Sequence, residues 1–109
     1  MSFPSSDRFT ERLTADQECH MAREIRDAER IAREAVMGIP EADTILMRRP
    51  ERAERTRAGA VDRLEESVEV VQQAARNDST LREYARAATN AWRKAEDLRW
   101  RLAMSGRRI

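Results

Sequence analysis

Apolar residues recur every three or four positions along most of this chain, and this spacing restricts its fold more than any other feature. In the stretch that begins at Ala15, the apolar positions return to one face of a helix and charged residues fill the rest. The repeating positions are Ala15, Cys19, Ala22, Ile25, Ala28, Ile31 or Ala32, and Ala35. No alternating apolar and polar run bounded by turn residues indicates a strand. The spacing therefore predicts an all-α protein.

Capping and helix-breaking residues set the limits of the first helix. Thr14 and Gln17 match a T-x-x-Q capping box, in which each side chain hydrogen-bonds the backbone of the other residue. Gly38 suits the left-handed position after a helix, and Pro40 cannot continue the same helix. We therefore predict a helix from about residue 15 to residue 37 and a turn after it.

A short helical segment over 41–47 and a second long helix are predicted next. Pro50 suits the first position of the long helix, which ends near Asn77. Gly59 weakens the early part of this helix by roughly 1 kcal/mol relative to Ala and favours fraying or a bend there. The apolar seam of the helix consists of Ala53, Arg57, Val61, Leu64, Val68, Val71 and Ala75.

The last predicted helix follows a short break at 77–79. Thr80 and Glu83 match a second capping box, and the helix reaches about Met104. Its heptad positions are Leu81, Ala88, Ala95 and Leu102, with Tyr84, Ala91 and Leu98. Two long helices joined by a short loop lie antiparallel. The expected architecture is a small helical bundle, a long antiparallel helical hairpin over 50–104 with the first helix packed beside it.

This reading divides the chain into three parts. Residues 13–104 form a single helical domain, residues 1–12 a flexible arm with Pro4 and paired serines, and residues 105–109 a tail after the last helix. The N-terminus resembles no export signal, and no apolar stretch approaches the ~20 residues that span a bilayer. We therefore expect a cytoplasmic protein with no membrane partner.

Catalytic chemistry finds little support in the sequence. His20 is the only histidine, and its neighbour Cys19 diverges from it by about 100° on a helix, so the two cannot readily cooperate. His20 and Glu24 supply at most two metal ligands, fewer than a zinc site requires. Glycines are isolated rather than grouped in a phosphate-binding loop. We expect no enzyme, no catalytic residue, no bound metal, no cofactor and no small-molecule substrate.

Binding surfaces must be local, because the net charge is only +1. Trp92 and Trp100 are eight residues apart on one flank of the last helix, beside Arg93, Arg99 and Arg101. Aromatic rings beside arginines stack on bases or anchor a protein partner, whereas rings of this size also serve as core packing against the first helix. Packing is the favoured interpretation, because this core has few other large side chains.

One stretch of sequence resembles a known family. From Leu13 the chain reads LTADQECHMAREIRDAER, which is similar to the L-T-x-E-x-E-x-x-x-A-x-x-I-x-x-x-E pattern of region 1.2 in sigma-70-type transcription factors. The matching positions are Leu13, Thr14, Glu18, Ala22, Ile25 and Glu29. The I-P-E-A at 39–42, together with Asp97-Leu98-Arg99 and Arg107-Arg108, resembles further family elements up to the start of region 2.1.

The resemblance implies a protein that engages RNA polymerase core, promoter DNA or both. The residues expected to contact phosphates or acidic surfaces are Arg8, Arg12, Arg23 and Arg26. The family's aromatic-x-Arg-Glu element is altered at 7–11, and the promoter-reading regions have no counterpart, so we expect something less than a complete sigma factor. The alternative hypothesis is a helical structural protein that forms a homo-oligomer through the 61–102 seams.

Overall fold

The computed structural model describes residues 13–48 and 55–105. Within these ranges the chain forms helices and no strand, so the predicted all-α class and helical bundle are confirmed. The helices are α1 (Ala15–Val36), α2 (Pro40–Leu46), α3 (Arg57–Asn77) and α4 (Arg82–Ser105), with a 3-10 turn at Ser79–Leu81. The predicted arm at 1–12 lies outside the described residues. So does the predicted tail beyond Ser105, which itself belongs to α4.

Helix α1 begins and ends on the signals that the sequence carries. The Gln17 backbone N–H donates to Thr14 Oγ1 at 3.1 Å, and the Thr14 backbone N–H donates to Gln17 Oε1 at 2.8 Å. The predicted capping box is therefore confirmed. At the other end Gly38 has a φ of +89°, the left-handed conformation that glycine adopts at little cost, and the helix ends one residue before the predicted limit.

The predicted start of the second long helix at Pro50 is wrong. Pro50 and Ala53 lie outside the described residues, but Arg55 and Thr56 are not helical. Helix α3 begins after them because the Thr56 side chain caps it, with Oγ1 accepting from the Gly59 N–H at 3.0 Å. Gly59 thus lies in the first turn rather than inside a long helix, so it produces no bend there.

The second predicted capping box is also wrong. Asp78 is the capping residue, and its Oδ1 accepts from the Thr80 backbone N–H at 3.0 Å and from the Thr80 hydroxyl at 2.6 Å. These two hydrogen bonds lower the pKa of the exposed Asp78 carboxyl below its ordinary value. The chain therefore enters α4 through the 3-10 turn, because Asp78 offers a charged acceptor two residues before Thr80.

Helix α4 contacts both of the other long helices, and these also contact each other. It packs along α1 over much of its length, while α3 packs on α4 and on α2. The α3 and α4 pair is connected by a hydrogen bond from Gln72 Nε2 to Thr89 Oγ1 of 2.7 Å. The residues that form the continuous core are Ala32, Val36, Ile39, Ala42, Leu64, Val68, Val71, Ala75, Ala85, Ala88, Ala91 and Trp92. Small alanines let the helices approach closely along this core.

Several predicted seam positions lie at the surface instead. Ala15 and Cys19 of α1 and Tyr84 of α4 are exposed, and of the pair Ile31 or Ala32 it is Ala32 that is buried. Because α3 begins only at Arg57, which contacts Glu29 in the second half of α1, the first half of α1 has α4 as its helical neighbour in the described structure. Among the described residues, one end of the bundle is therefore built from two helices rather than three.

A buried carboxylate and an arginine-lined groove

Glu29 is the charged residue that this bundle buries most deeply among the described residues. Only 4% of its surface is exposed. Arg57 Nη2 lies 2.9 Å from Glu29 Oε1 and 3.1 Å from Oε2, and Arg99 Nη1 lies 2.8 Å from Oε2. Charge-assisted hydrogen bonds of this length offset the cost of removing a carboxylate from water. The three residues join α1, α3 and α4 at one point.

Arg99 is held on a second side by an aromatic ring. Its guanidinium carbon lies 4.7 Å from the centroid of the Trp92 ring, within the range of a cation–π contact. Trp92 is itself buried against the core. The indole and the Glu29 carboxylate together fix the position of the Arg99 guanidinium.

The positive charge of Arg57 lies at an unfavourable position, and the negative charge of Glu29 compensates for it. It is the first residue of α3, where the helix dipole already carries partial positive charge. The Glu29 carboxylate lies 2.9 Å from the Arg57 side chain. Its negative charge is therefore beside both the Arg57 guanidinium and the beginning of α3. Arg57 remains about half exposed, with 54% of its side chain open to water. The contact therefore ties the beginning of α3 to the middle of α1 without closing off the guanidinium.

A groove of about 370 Å³ lies beside this cluster, at the end of the molecule where α3 begins. Its apolar wall comes from α1 and the last turns of α4, and its cationic side from three arginines. The lining residues are Ala22, Ile25, Arg26, Arg57, Arg99, Leu102 and Ala103. None of them is acidic. The groove lies where α1 and α4 extend past the start of α3, so that α3 does not cover part of their facing surface.

The groove retains hydrogen-bonding capacity on its arginines. Arg57 and Arg99 each use one terminal nitrogen for Glu29, and a guanidinium carries five N–H donors in a planar fork. Arg26 is exposed and pairs with no carboxylate in the described part of the chain. These donors beside an apolar wall are suited to binding an anionic group that is attached to an apolar surface.

The basic residues expected to make contacts fall into two groups. Arg8 and Arg12 lie outside the described residues. Arg23 and Arg26 are both exposed on α1, and Arg26 lines the groove.

The positions of the sigma-like pattern divide between structure and surface. Thr14 caps α1, Leu13 is half-buried, and Ile25 and Glu29 are buried. Ala22 lines the groove, and Glu18 is exposed. The structure therefore assigns the second half of the pattern to packing and leaves Glu18 facing water.

The two tryptophans have different environments. Trp92 packs in the core under Arg99, whereas 61% of Trp100 is exposed. The favoured expectation that both rings pack inside is therefore wrong for Trp100. Trp100 remains available as an aromatic anchor for a partner.

Sequence reasoning missed the cluster around Glu29. Arg57 stood in the predicted apolar seam, and Glu29 lies one turn beyond Ile25 on the buried face. A charged residue at a seam position is the signal that could have revealed a buried ion pair. The partner Arg99, 70 positions from Glu29, carried no such signal.

The remaining candidates for chemistry are separate from this cluster. His20 Nε2 lies 3.0 Å from Glu24 Oε1 near the beginning of α1, and Cys19 is an exposed free thiol. No group of three or more potential metal ligands occurs within residues 13–48 and 55–105. No helix in those same ranges is long and apolar enough to cross a membrane.

Comparison with known proteins finds no matching family model, no matching characterised sequence and no matching solved structure.

Proposed function

We propose that this protein binds RNA polymerase core, promoter DNA or both in transcription initiation or its regulation, as a cytoplasmic protein similar to region 1.2 of sigma-70-type factors. The observation that carries the proposal is the arrangement of α1. Its pattern residues Thr14, Ile25 and Glu29 build and anchor the helix, while Arg23 and Arg26 stay exposed on it. A rigid helix that presents arginines is suited to contact phosphates or an acidic protein surface.

A pull-down of purified bacterial RNA polymerase core by the tagged protein tests this proposal. We expect binding that weakens between two salt concentrations, because charged contacts are screened, and that a competing sigma factor displaces. The same protein titrated with a promoter duplex measures the DNA contact. Undetectable binding to both, or binding that salt does not change, would contradict the proposal.

A charge reversal on α1 locates the contact. Arg23→Glu should weaken polymerase or DNA binding severalfold, because it replaces an attraction with a repulsion on the exposed face. Arg86→Glu is the matched control, because Arg86 is an exposed arginine near the beginning of α4, far from the Arg99 end of that helix. Equal losses in the two variants would indicate a general charge effect and not a specific face.

The alternative, self-association through the 61–102 seams, has less support. Leu64, Val68 and Val71 of α3 and Ala88 and Ala95 of α4 are buried within one chain. These five seam residues are already packed inside the monomer and are not exposed to a second copy. Sedimentation over a range of protein concentrations distinguishes the two hypotheses, since a concentration-dependent dimer would restore this alternative.

A further inference from the structure

We propose that the groove beside Glu29 binds an amphipathic helix of a protein partner, one whose apolar stripe is flanked by Asp or Glu. The groove is the place where α1 and α4 face each other without the cover of α3. Its wall is formed by Ala22, Ile25, Leu102 and Ala103, and its charge by arginines. This inference does not depend on polymerase binding, because it concerns only what the groove accepts.

The apolar wall favours a side-chain stripe over a bare phosphate backbone. Ala22 with Ile25 on α1 and Leu102 with Ala103 on α4 present two short apolar rows. An open groove of about 370 Å³ between two helices accommodates the apolar side chains of a third helix, as helix-in-groove recognition does elsewhere. Nucleic acid phosphates would gain nothing from these residues.

The charges of the lining specify an acidic partner. Three of the seven described lining residues are arginines and none of these seven is acidic, while the Glu29 carboxylate already faces Arg57 and Arg99. Arg57 and Arg99 are held in place before a ligand arrives, so a carboxylate reaching their free N–H groups meets donors that lose little freedom. Two copies of this groove would bring six arginines together, which disfavours self-association at this end.

Trp100 extends the surface at the edge of the groove. It precedes Ala103 by three positions, so the two residues are neighbours on the surface of α4, and most of its ring is exposed. Exposed tryptophans beside an apolar groove are common anchors in protein interfaces. A bound helix would cover this ring, which gives the binding event a local optical signal.

A synthetic amphipathic helix of about four turns, roughly 15 residues, with a Leu stripe flanked by Glu, tests the proposal on the full chain. Anisotropy of the labelled peptide gives the affinity, and Trp emission reports burial at Trp100. We expect saturable binding with a blue shift that the Trp100→Phe variant lacks. Replacing every Glu of the peptide by Lys should abolish binding, and dispersing the Leu residues around the helix should weaken it.

Matched variants test whether the peptide binds in the groove. Arg26→Glu should weaken binding by about tenfold, since it reverses a lining charge, and Arg86→Glu, about 20 Å along α4 from Arg99, should change it less than about twofold. Circular dichroism verifies that both variants fold. The proposal is overturned if neither peptide binds, if the Glu and Lys peptides bind equally, or if a short DNA duplex is the ligand whose affinity Arg26 controls.

Discussion

Glu29 carries a structural role that its exposed neighbours do not share. A carboxylate with 6% of its side chain exposed must keep its partners, since an unpaired buried charge is costly. Its two arginines are not equivalent. Arg99 is 27% exposed and also stacks on Trp92, whereas Arg57 is about half in water. The burial of each arginine therefore sets its share of the stabilisation.

Arg99→Ala should lower the free energy of unfolding by about 2–3 kcal/mol, because it leaves Glu29 buried with one partner and removes the cation–π contact. Arg57→Ala should cost about 1 kcal/mol, since about half of that side chain is already in water. Urea denaturation measures both. Arg101→Ala is the matched control two positions away, because its pair with Asp97 is exposed on both sides and should contribute less than about 0.5 kcal/mol. Equal losses in all three variants would contradict this ranking.

The lowered pKa of Asp78 makes the stability of the folded protein depend on pH in the acid range. The Thr80 hydroxyl and then the Thr80 backbone N–H lower the pKa of this carboxyl in the folded protein. A depressed pKa contributes stability that is present above the unfolded pKa of about 4 and is lost as the pH falls through the folded value. Asp78→Asn keeps an oxygen acceptor without the charge. Its melting temperature should lie below that of the wild type at pH 7, and the gap should narrow toward pH 2. A gap that stays constant with pH would rule out this linkage.

The elements of the fold begin where side chains can cap them. Thr14, Thr56 and Asp78 each accept a backbone N–H at the start of a helical segment. Caps at Thr56 and Asp78 replaced the starts predicted at Pro50 and Thr80. At both places the segment begins after the residue whose side chain accepts a backbone N–H, Thr56 or Asp78.

Thr14→Ala should destabilise the protein by about 1 kcal/mol, because it removes one half of the α1 capping box and leaves the Gln17 N–H without its acceptor. Thr14→Ser, which keeps the hydroxyl, should restore most of that loss. Denaturant unfolding followed by circular dichroism measures the difference. A serine variant as unstable as the alanine variant would indicate that the Thr14 methyl group, and not the cap, matters.

At the scale of the whole molecule, small residues set how closely the helices approach. Ala88 is fully buried in the core formed by α1, α3 and α4, while its neighbour Ala87 is exposed. Ala88→Leu should cost about 1–3 kcal/mol through overpacking, although both residues favour helices. Ala87→Leu is the matched control and should change stability by less than about 0.5 kcal/mol. If thermal melts showed the two variants to be equally stable, close approach at Ala88 would not be essential.

The sequence by itself determined the helical class, because a three-to-four-residue apolar period leaves no other way to bury these small side chains. It also determined both ends of α1. The reciprocal hydrogen bonds between Thr14 and Gln17 and the turn at Gly38 are local interactions within a few residues. The end of α3 at Asn77 and the buried positions Leu64, Val68 and Val71 follow from the same local spacing.

Only the tertiary structure decided the Glu29 cluster and the groove beside it. Arg57 and Arg99 lie 28 and 70 positions from Glu29, and no local pattern indicates which arginine will meet a given carboxylate. Within residues 13–48 and 55–105, the late start of α3 leaves two helices beside the groove, and Ala15 and Cys19 are exposed on the first of them. Periodicity defines which face of a helix is apolar. How far a neighbouring helix extends along that face depends on the packing of the whole chain, and that extent determines which residues stay exposed.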